Sequence, residues 1–155
     1  MSRTAARETG MRLLYQWSVS GGDWHEVLAS SVLSEVPLTK KDRAYLERIV
    51  SGVQNETEKL DQLLEKMSKS WRVDRMAKLD LAILRLAAYE LLYCEDIPGS
   101  VSINEAVELS KRYSSAEAVP FINGILSSIA RELDKADVNE EDAGQSAEEG
   151  GADTR

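Results

Sequence analysis

The side chains best suited to chemistry are few and poorly paired. His25 is the only histidine and Cys94 the only cysteine of the 155 residues. A catalytic imidazole needs a nucleophile or acid within hydrogen-bond reach. The spacing of Asp23, Trp24 and Glu26 around His25 suggests no such pairing, so His25 reads as a solvated surface residue. Cys94 lies near the end of an apolar stretch, where a thiol is structural rather than nucleophilic. A lone cysteine also excludes an internal disulfide and suits a reducing compartment. Glu105 and Glu108 resemble a carboxylate pair, but Ser102-x-x-Glu105 has the form of a capping box, and Glu108 has Lys111 and Arg112 within reach on one helix. Neither GxGxxG nor GxxxxGK[ST] is present. No catalytic residue, metal site or cofactor is expected, and the chain reads as a binding protein rather than an enzyme.

Arg3 and Arg7 are a different kind of signal. Residues four apart share a helical face, and guanidinium forks match phosphate oxygens. Tyr15, two turns beyond Arg7, stays near that face. An aromatic ring beside a basic strip can stack an unpaired base. Two readings stay open on these residues alone: a phosphate-binding edge, or an ordinary solvated helix face.

The elements that must position these groups all read as helices. Met11, Leu14 and Val19 form an apolar stripe over residues 3–19, ended by Gly21-Gly22. Trp24, Val27, Leu28, Val32 and Leu33 mark a second helix, stopped before Pro37. Thr39 is placed to cap a third, with Tyr45, Leu46, Ile49, Val50 and Val53. Asn55 followed by Glu58 predicts the start of a fourth, through Leu60, Leu64 and Met67. Asp74 is placed to cap a fifth that runs to about Cys94 and is apolar almost all round, the pattern of a central helix. Arg85 and Glu90 on that spine need partners, and Trp71 before it reads as a core plug. The Ser102 box opens a sixth helix. The seventh carries Phe121, Ile122, Ile125, Leu126, Ile129 and Leu133, and its start is ambiguous between Ser114-x-x-Glu117 and Pro120. Asn123-Gly124 on it predicts a close helix approach. No segment alternates like a strand, so the expected fold is an all-α compact bundle of about seven helices.

Charge divides the chain unevenly. The formal net charge is −8. Residues 134–155 hold eight acids and two bases, so the body is near neutral. Residues 139–155 contain no large apolar side chain and are expected to be a disordered acidic tail following a single domain over 1–138. That tail is either an electrostatic competitor for the basic edge or a solubilising appendage. No apolar run approaches the ~18 residues of a membrane span, and the N-terminus lacks a signal-peptide core; a cytoplasmic location is expected.

Four blocks of sequence, taken together, resemble the NusB family of transcription antitermination proteins: ARETGMRLLYQW from Ala6, WRVDRMAKLDLAILRLAAYEL from Trp71, IPGSVSINEAVELSKRY from Ile97, and FINGIL from Phe121. The resemblance covers about residues 3–133. It implies an all-helical fold of two small sub-bundles and a non-enzymatic factor that binds boxA single-stranded RNA in nascent ribosomal RNA. The implied partners are ribosomal protein S10 (NusE), other Nus factors and the RNA polymerase elongation complex, with no membrane; relatives occur as monomers or as a homodimer. Carried over residue by residue, RNA contacts fall on Arg3, Arg7, Tyr15, Tyr113 and Phe121. The acidic positions linked to the protein partner or to RNA coupling fall on Asp80 and Glu117, with partner contact the expected role because their charges would repel RNA. The N-terminal motif is thin, with Thr4, Thr9 and Gly10 at positions where relatives often carry Arg, Cys or Ala. A NusB-like module of a ribosomal-RNA-modifying system is the competing expectation; an RNA methyltransferase of that kind needs a Rossmann-like domain and a catalytic cysteine, whereas a disordered acidic tail is expected after the helical body here.

Overall fold

The structure is a computed structural model and describes residues 2–29, 38–69 and 71–134. Among these, every regular element is helical: α1 (Arg3–Ser20), α2 (Trp24–Leu28), α3 (Lys40–Met67), a 3₁₀ turn (Val73–Arg75), α4 (Lys78–Tyr93), α5 (Gly99–Tyr113) and α6 (118–134). The acidic segment 139–155 and the predicted stop at Pro37 lie outside the described residues.

Local chemistry explains most boundaries. The Ser2 hydroxyl caps α1 by accepting from the Ala5 N–H, and Gly21 ends it with φ of 75°, its N–H bonded to the Trp17 carbonyl. Thr39 caps α3 in a reciprocal box with Asp42. The predicted third and fourth helices are one helix of 28 residues. The Asn55–Glu58 start signal fails because the apolar register never breaks: Val53 and Leu60, seven apart, are both fully buried on the same face as Leu46, Val50 and Leu64, while Asn55 points to solvent.

Two other predicted caps are also overturned. Asp74 belongs to the 3₁₀ turn, and α4 begins after Ala77 without a side-chain cap. The Ser102–Glu105 box does not form, because α5 already starts at Gly99, after Pro98. Ser102 is one turn inside the helix and buried, and the Glu105 carboxylate accepts from the Thr4 hydroxyl at 3.0 Å. The last helix starts between its two predicted signals. The Ser115 hydroxyl accepts from the Ala118 N–H, and Pro120 sits in the first turn.

Helix α4 is the spine. Leu81 to Leu84 and Leu86 to Ala88 are all buried, and the helix packs against α1, α3 and α5. Gly52 permits the α3 contact, since a Cβ there would fall 2.2 Å from the Tyr89 ring. Arg85 meets Asp61 of α3 through two hydrogen bonds of 2.9 and 2.8 Å.

Candidate nucleic-acid interface

Arg3 and Arg7 leave the same face of α1 and part company. Arg7 is 3% exposed, because one turn into the helix that face meets α3, α4 and α5 rather than solvent. Its Nε donates to Glu90 Oε2 at 3.0 Å and its Nη2 to Oε1 at 3.0 Å. Tyr45 donates its hydroxyl to Glu90 Oε2 at 2.6 Å, and Ser102 donates to Oε1 at 2.9 Å. One carboxylate thus ties α1, α3, α4 and α5 together. Burial pulls the Arg7 guanidinium toward the neutral form, but the Glu90 hydrogen bonds and charge more than offset this, and its pKa is raised. Burial is also the main cause of the raised Tyr45 pKa, with the Glu90 charge adding to it. Arg7 is therefore engaged inside the fold, its Nε and Nη2 both held by Glu90, rather than presented to a phosphate. The pairing expected of Glu90 is present, with Arg7 as its partner.

Arg3, at the exposed start of the same face, forms no ion pair among the described residues, although its charge adds to the Arg48 hydrogen bond in lowering the Asp96 pKa, and lays its guanidinium 4.3 Å from the Tyr45 ring centroid. A hollow of about 250 Å³ beside it is lined by Arg3, Lys41, Tyr45, Arg48 and Asp96, with Asp96 holding Arg48 at 2.8 Å.

The outward face of α1 joins α5 in a strip of cations and aromatic rings. Tyr15 is 42% exposed, three residues beyond Arg12. Arg12 Nη2 donates to the Tyr113 hydroxyl oxygen at 3.1 Å. The guanidiniums of Arg12 and Arg112 lie 5.8 and 5.4 Å from the Tyr113 ring centroid. Both also reach the Glu8 carboxylate, Arg12 at 3.5 Å and Arg112 at 3.4 Å. Lys111, not Arg112, takes Glu108. The sequence reading missed Arg112 as part of this strip because the pairing it makes, with Glu8, spans 104 positions. Tyr113 signalled it only through its place one residue on.

Phe121, Asp80 and Glu117 are brought together elsewhere. With Trp71 and Arg75 they line a hollow of about 310 Å³. The Asp80 carboxylate accepts a hydrogen bond from the Ser114 hydroxyl, so it has an intramolecular role whatever else it meets. Trp71 is not the expected core plug. It is 55% exposed and meets Phe121 edge to face, with centroids 6.2 Å apart. It precedes the 3₁₀ turn, where no helical register carries it inward. Asn123-Gly124 does not mediate a close approach either: Asn123 is exposed, and a Cβ on Gly124 would meet nothing within 4 Å.

The residues with enzymatic potential stay apart. His25 stacks on Trp24 at the surface, its Nδ1 3.8 Å from Asp23. Cys94 is buried, which pushes its thiol up to about 11. Among the described residues no group of three His, Cys, Asp or Glu side chains converges as a metal site would require. No described helix is long and apolar enough to cross a membrane.

A small helical bundle with a buried polar clamp and an outer strip of arginines and aromatic rings defines a class of helical binding proteins. The NusB family model matches residues 4–131, and the chain belongs to the NusB family. It is 46% identical over 131 residues to the transcription antitermination protein NusB of Ruminiclostridium cellulolyticum, covering 84% of this chain and 90% of that one. It is 44% identical over 138 residues to the same protein of Natranaerobius thermophilus, covering 88% and 99%. Among solved structures, NusB of T. maritima superposes with a TM-score of 0.78 at 33% identity, covering 85% of this chain and 92% of that one. A chain from a crystal structure of antitermination factors NusB and NusE in complex with dsRNA superposes with a TM-score of 0.76 at 27% identity, covering 84% and 96%.

Proposed function

We propose that this chain is a transcription antitermination factor that binds boxA-type single-stranded RNA together with ribosomal protein S10 (NusE) and joins the elongating RNA polymerase with other Nus factors. It acts in the cytoplasm by binding and not by catalysis. The observation that carries the RNA reading is the Tyr113 ring with the Arg12 and Arg112 guanidiniums beside it, and Tyr15 exposed on the same side of α1. Cations beside accessible rings supply the two things unpaired RNA needs, charge for its backbone and flat surfaces for its bases. Membership of the NusB family supports the same reading. Arg3 adds a phosphate contact at the free end of α1, and Phe121 a second stacking ring. Asp80 and Glu117 would repel a phosphate backbone, so they are assigned to the protein partner, with Arg7 a positioning residue behind Arg3.

The test is titration of labelled boxA-type and scrambled RNA against the purified chain, alone and with S10. Preference for the boxA sequence, strengthened by S10, is expected. Equal affinity for both RNAs with and without S10 would leave only a non-specific scaffold, and RNA binding by neither form would remove RNA from the reading.

A further inference from the structure

Phe121 stands on a ridge between two hollows of opposite charge. On one side, Asp80 and Glu117 outnumber Arg75 in the hollow already described. On the other runs a groove of about 360 Å³ between the C-terminal end of α3 and α6, whose ionic side chains are Lys69 and Arg131, with no carboxylate among its lining residues. Neither cation is held by an acid among the described residues; Arg131 Nη2 instead donates to the Ser128 hydroxyl oxygen, which also lines the groove, at 3.1 Å. Gly124 adds no side chain to the groove wall.

Lys69 is the only described non-glycine residue with positive φ, at 58°. It directly follows Ser68, the cap of α3. A left-handed residue just past a helix end is the usual place for glycine, because a Cβ is strained there. A lysine at that place gains some helix-dipole attraction, but nearby Lys66 in the last turn already supplies a cation of that kind.

We propose that this groove is the track of the RNA backbone as it leaves the aromatic ridge, with Lys69 and Arg131 as phosphate contacts. The proposal rests on the RNA-binding reading above and adds to it a direction. A base that stacks on Phe121 and Trp71 must send its phosphates to one side, and like-charge repulsion closes the Asp80–Glu117 side. The strand therefore runs along the α3–α6 groove, and the acidic hollow is left to the protein partner.

The experiment measures affinity of boxA-type RNA against salt concentration for the full chain and for Lys69→Gly, Arg131→Gln and the double variant, with Lys59→Gln as a control. Lys59 is an exposed lysine of α3 paired with Glu56 away from the groove. Each lost phosphate contact should lower the salt slope by about 0.7, which at 0.1 M salt is roughly a five-fold loss of affinity per contact. The double variant is thus expected to bind roughly 25-fold more weakly, with the same loss on scrambled RNA and no loss of affinity for S10 in the absence of RNA. Lys69→Gly should melt at the same or a higher temperature, which separates this site from a structural role. Unchanged slopes in variants of a chain that does bind RNA overturn the groove while leaving the RNA reading intact. Loss of S10 affinity with RNA binding unchanged makes the groove a protein site and also overturns it. Absence of RNA binding by the unaltered chain, with and without S10, defeats both.

Discussion

Arg7 and Arg12 lie five residues apart on one helix and meet the same residue types, a glutamate and a tyrosine. Arg7 meets Glu90 and Tyr45 with side-chain exposures of 4% and 0% for the ion pair; Arg12 meets Glu8 and Tyr113 with its own side chain 56% exposed. The chemistry is alike and the outcomes differ. In the first set the Arg7 Nε and Nη2 and the Tyr45 hydroxyl all bond Glu90 away from solvent, so the groups cannot exchange partners without leaving a buried charge bare. In the second, water screens the ion pairs, which are weak enough to yield to another anion. The same guanidinium is a structural rivet in one place and an available ligand in the other, and solvent access makes the difference.

The sharpest way to break this comparison is to remove Glu90. Glu90→Ala leaves the Arg7 guanidinium buried without its carboxylate and should cost about 3–5 kcal/mol in denaturant unfolding. The loss should be nearly the same at low and high salt, because the pair lies out of reach of mobile ions. A loss below about 1 kcal/mol, or one that vanishes in salt, would place Arg7 and Glu90 in the same class as Arg12 and Glu8.

Next in size are the exposed rings. Tyr15→Ala and Phe121→Ala should each weaken RNA binding by about 1–3 kcal/mol per stacked base, with little change of salt slope. Thermal unfolding checks the contrast with Glu90. Tyr15→Ala should leave the melting temperature almost unmoved; a lowered melting temperature with unchanged RNA affinity would make Tyr15 a packing residue.

These two regions also show what could be read from the sequence. The spine helix, the glycine stop after α1 and the Thr39 cap were legible, because each depends on residues within one or two turns. Both spine partners were predicted as a need, but Arg7 and Asp61 are supplied from elements 83 and 24 positions away. Periodicity placed Arg3 and Arg7 on one face correctly; it carried no information that α5 covers the second and leaves the first bare. The false boundaries share a cause. Asn55, Asp74 and Ser102 have the side chains that caps use, and tertiary packing used the surrounding backbone otherwise: a continuous apolar stripe ran through Asn55, and Glu90 took the Ser102 hydroxyl. Trp71 was misread in the opposite direction, since a large aromatic ring is usually buried and this one is held half-open against Phe121.

Asp80 tests whether the acidic hollow belongs to the partner. Asp80→Lys is expected to weaken the complex with S10 by roughly ten-fold, about 1.4 kcal/mol. Ser114, whose hydroxyl donates to Asp80, is only half-buried at the helix end, so unfolding stability should fall by less than partner affinity does. Lost stability with unchanged S10 affinity would make Asp80 an intramolecular acceptor and nothing more.

The smallest expected effect is the most direct probe of exchangeability on the open strip. Glu8 receives hydrogen bonds from both Arg12 and Arg112, as a phosphate oxygen pair would. An incoming RNA backbone must displace that carboxylate before it can use either guanidinium. Glu8→Gln removes the internal competitor while keeping the side chain's shape. The surface ion pairs it breaks contribute about 0.2–1 kcal/mol each at most, so the melting temperature should change little. RNA affinity should rise a few-fold at low salt, and the gain should fade toward 0.5 M as screening weakens both the competitor and the phosphate contacts, the Debye length having fallen to well below ~8 Å. The salt slope should steepen by about 0.7 if one guanidinium is released to a phosphate. A Glu8→Gln chain that binds RNA no better at any salt concentration, or one that unfolds as readily as Glu90→Ala, would show that the Glu8 pairs are held as firmly as the buried one and that solvent access does not separate the two regions.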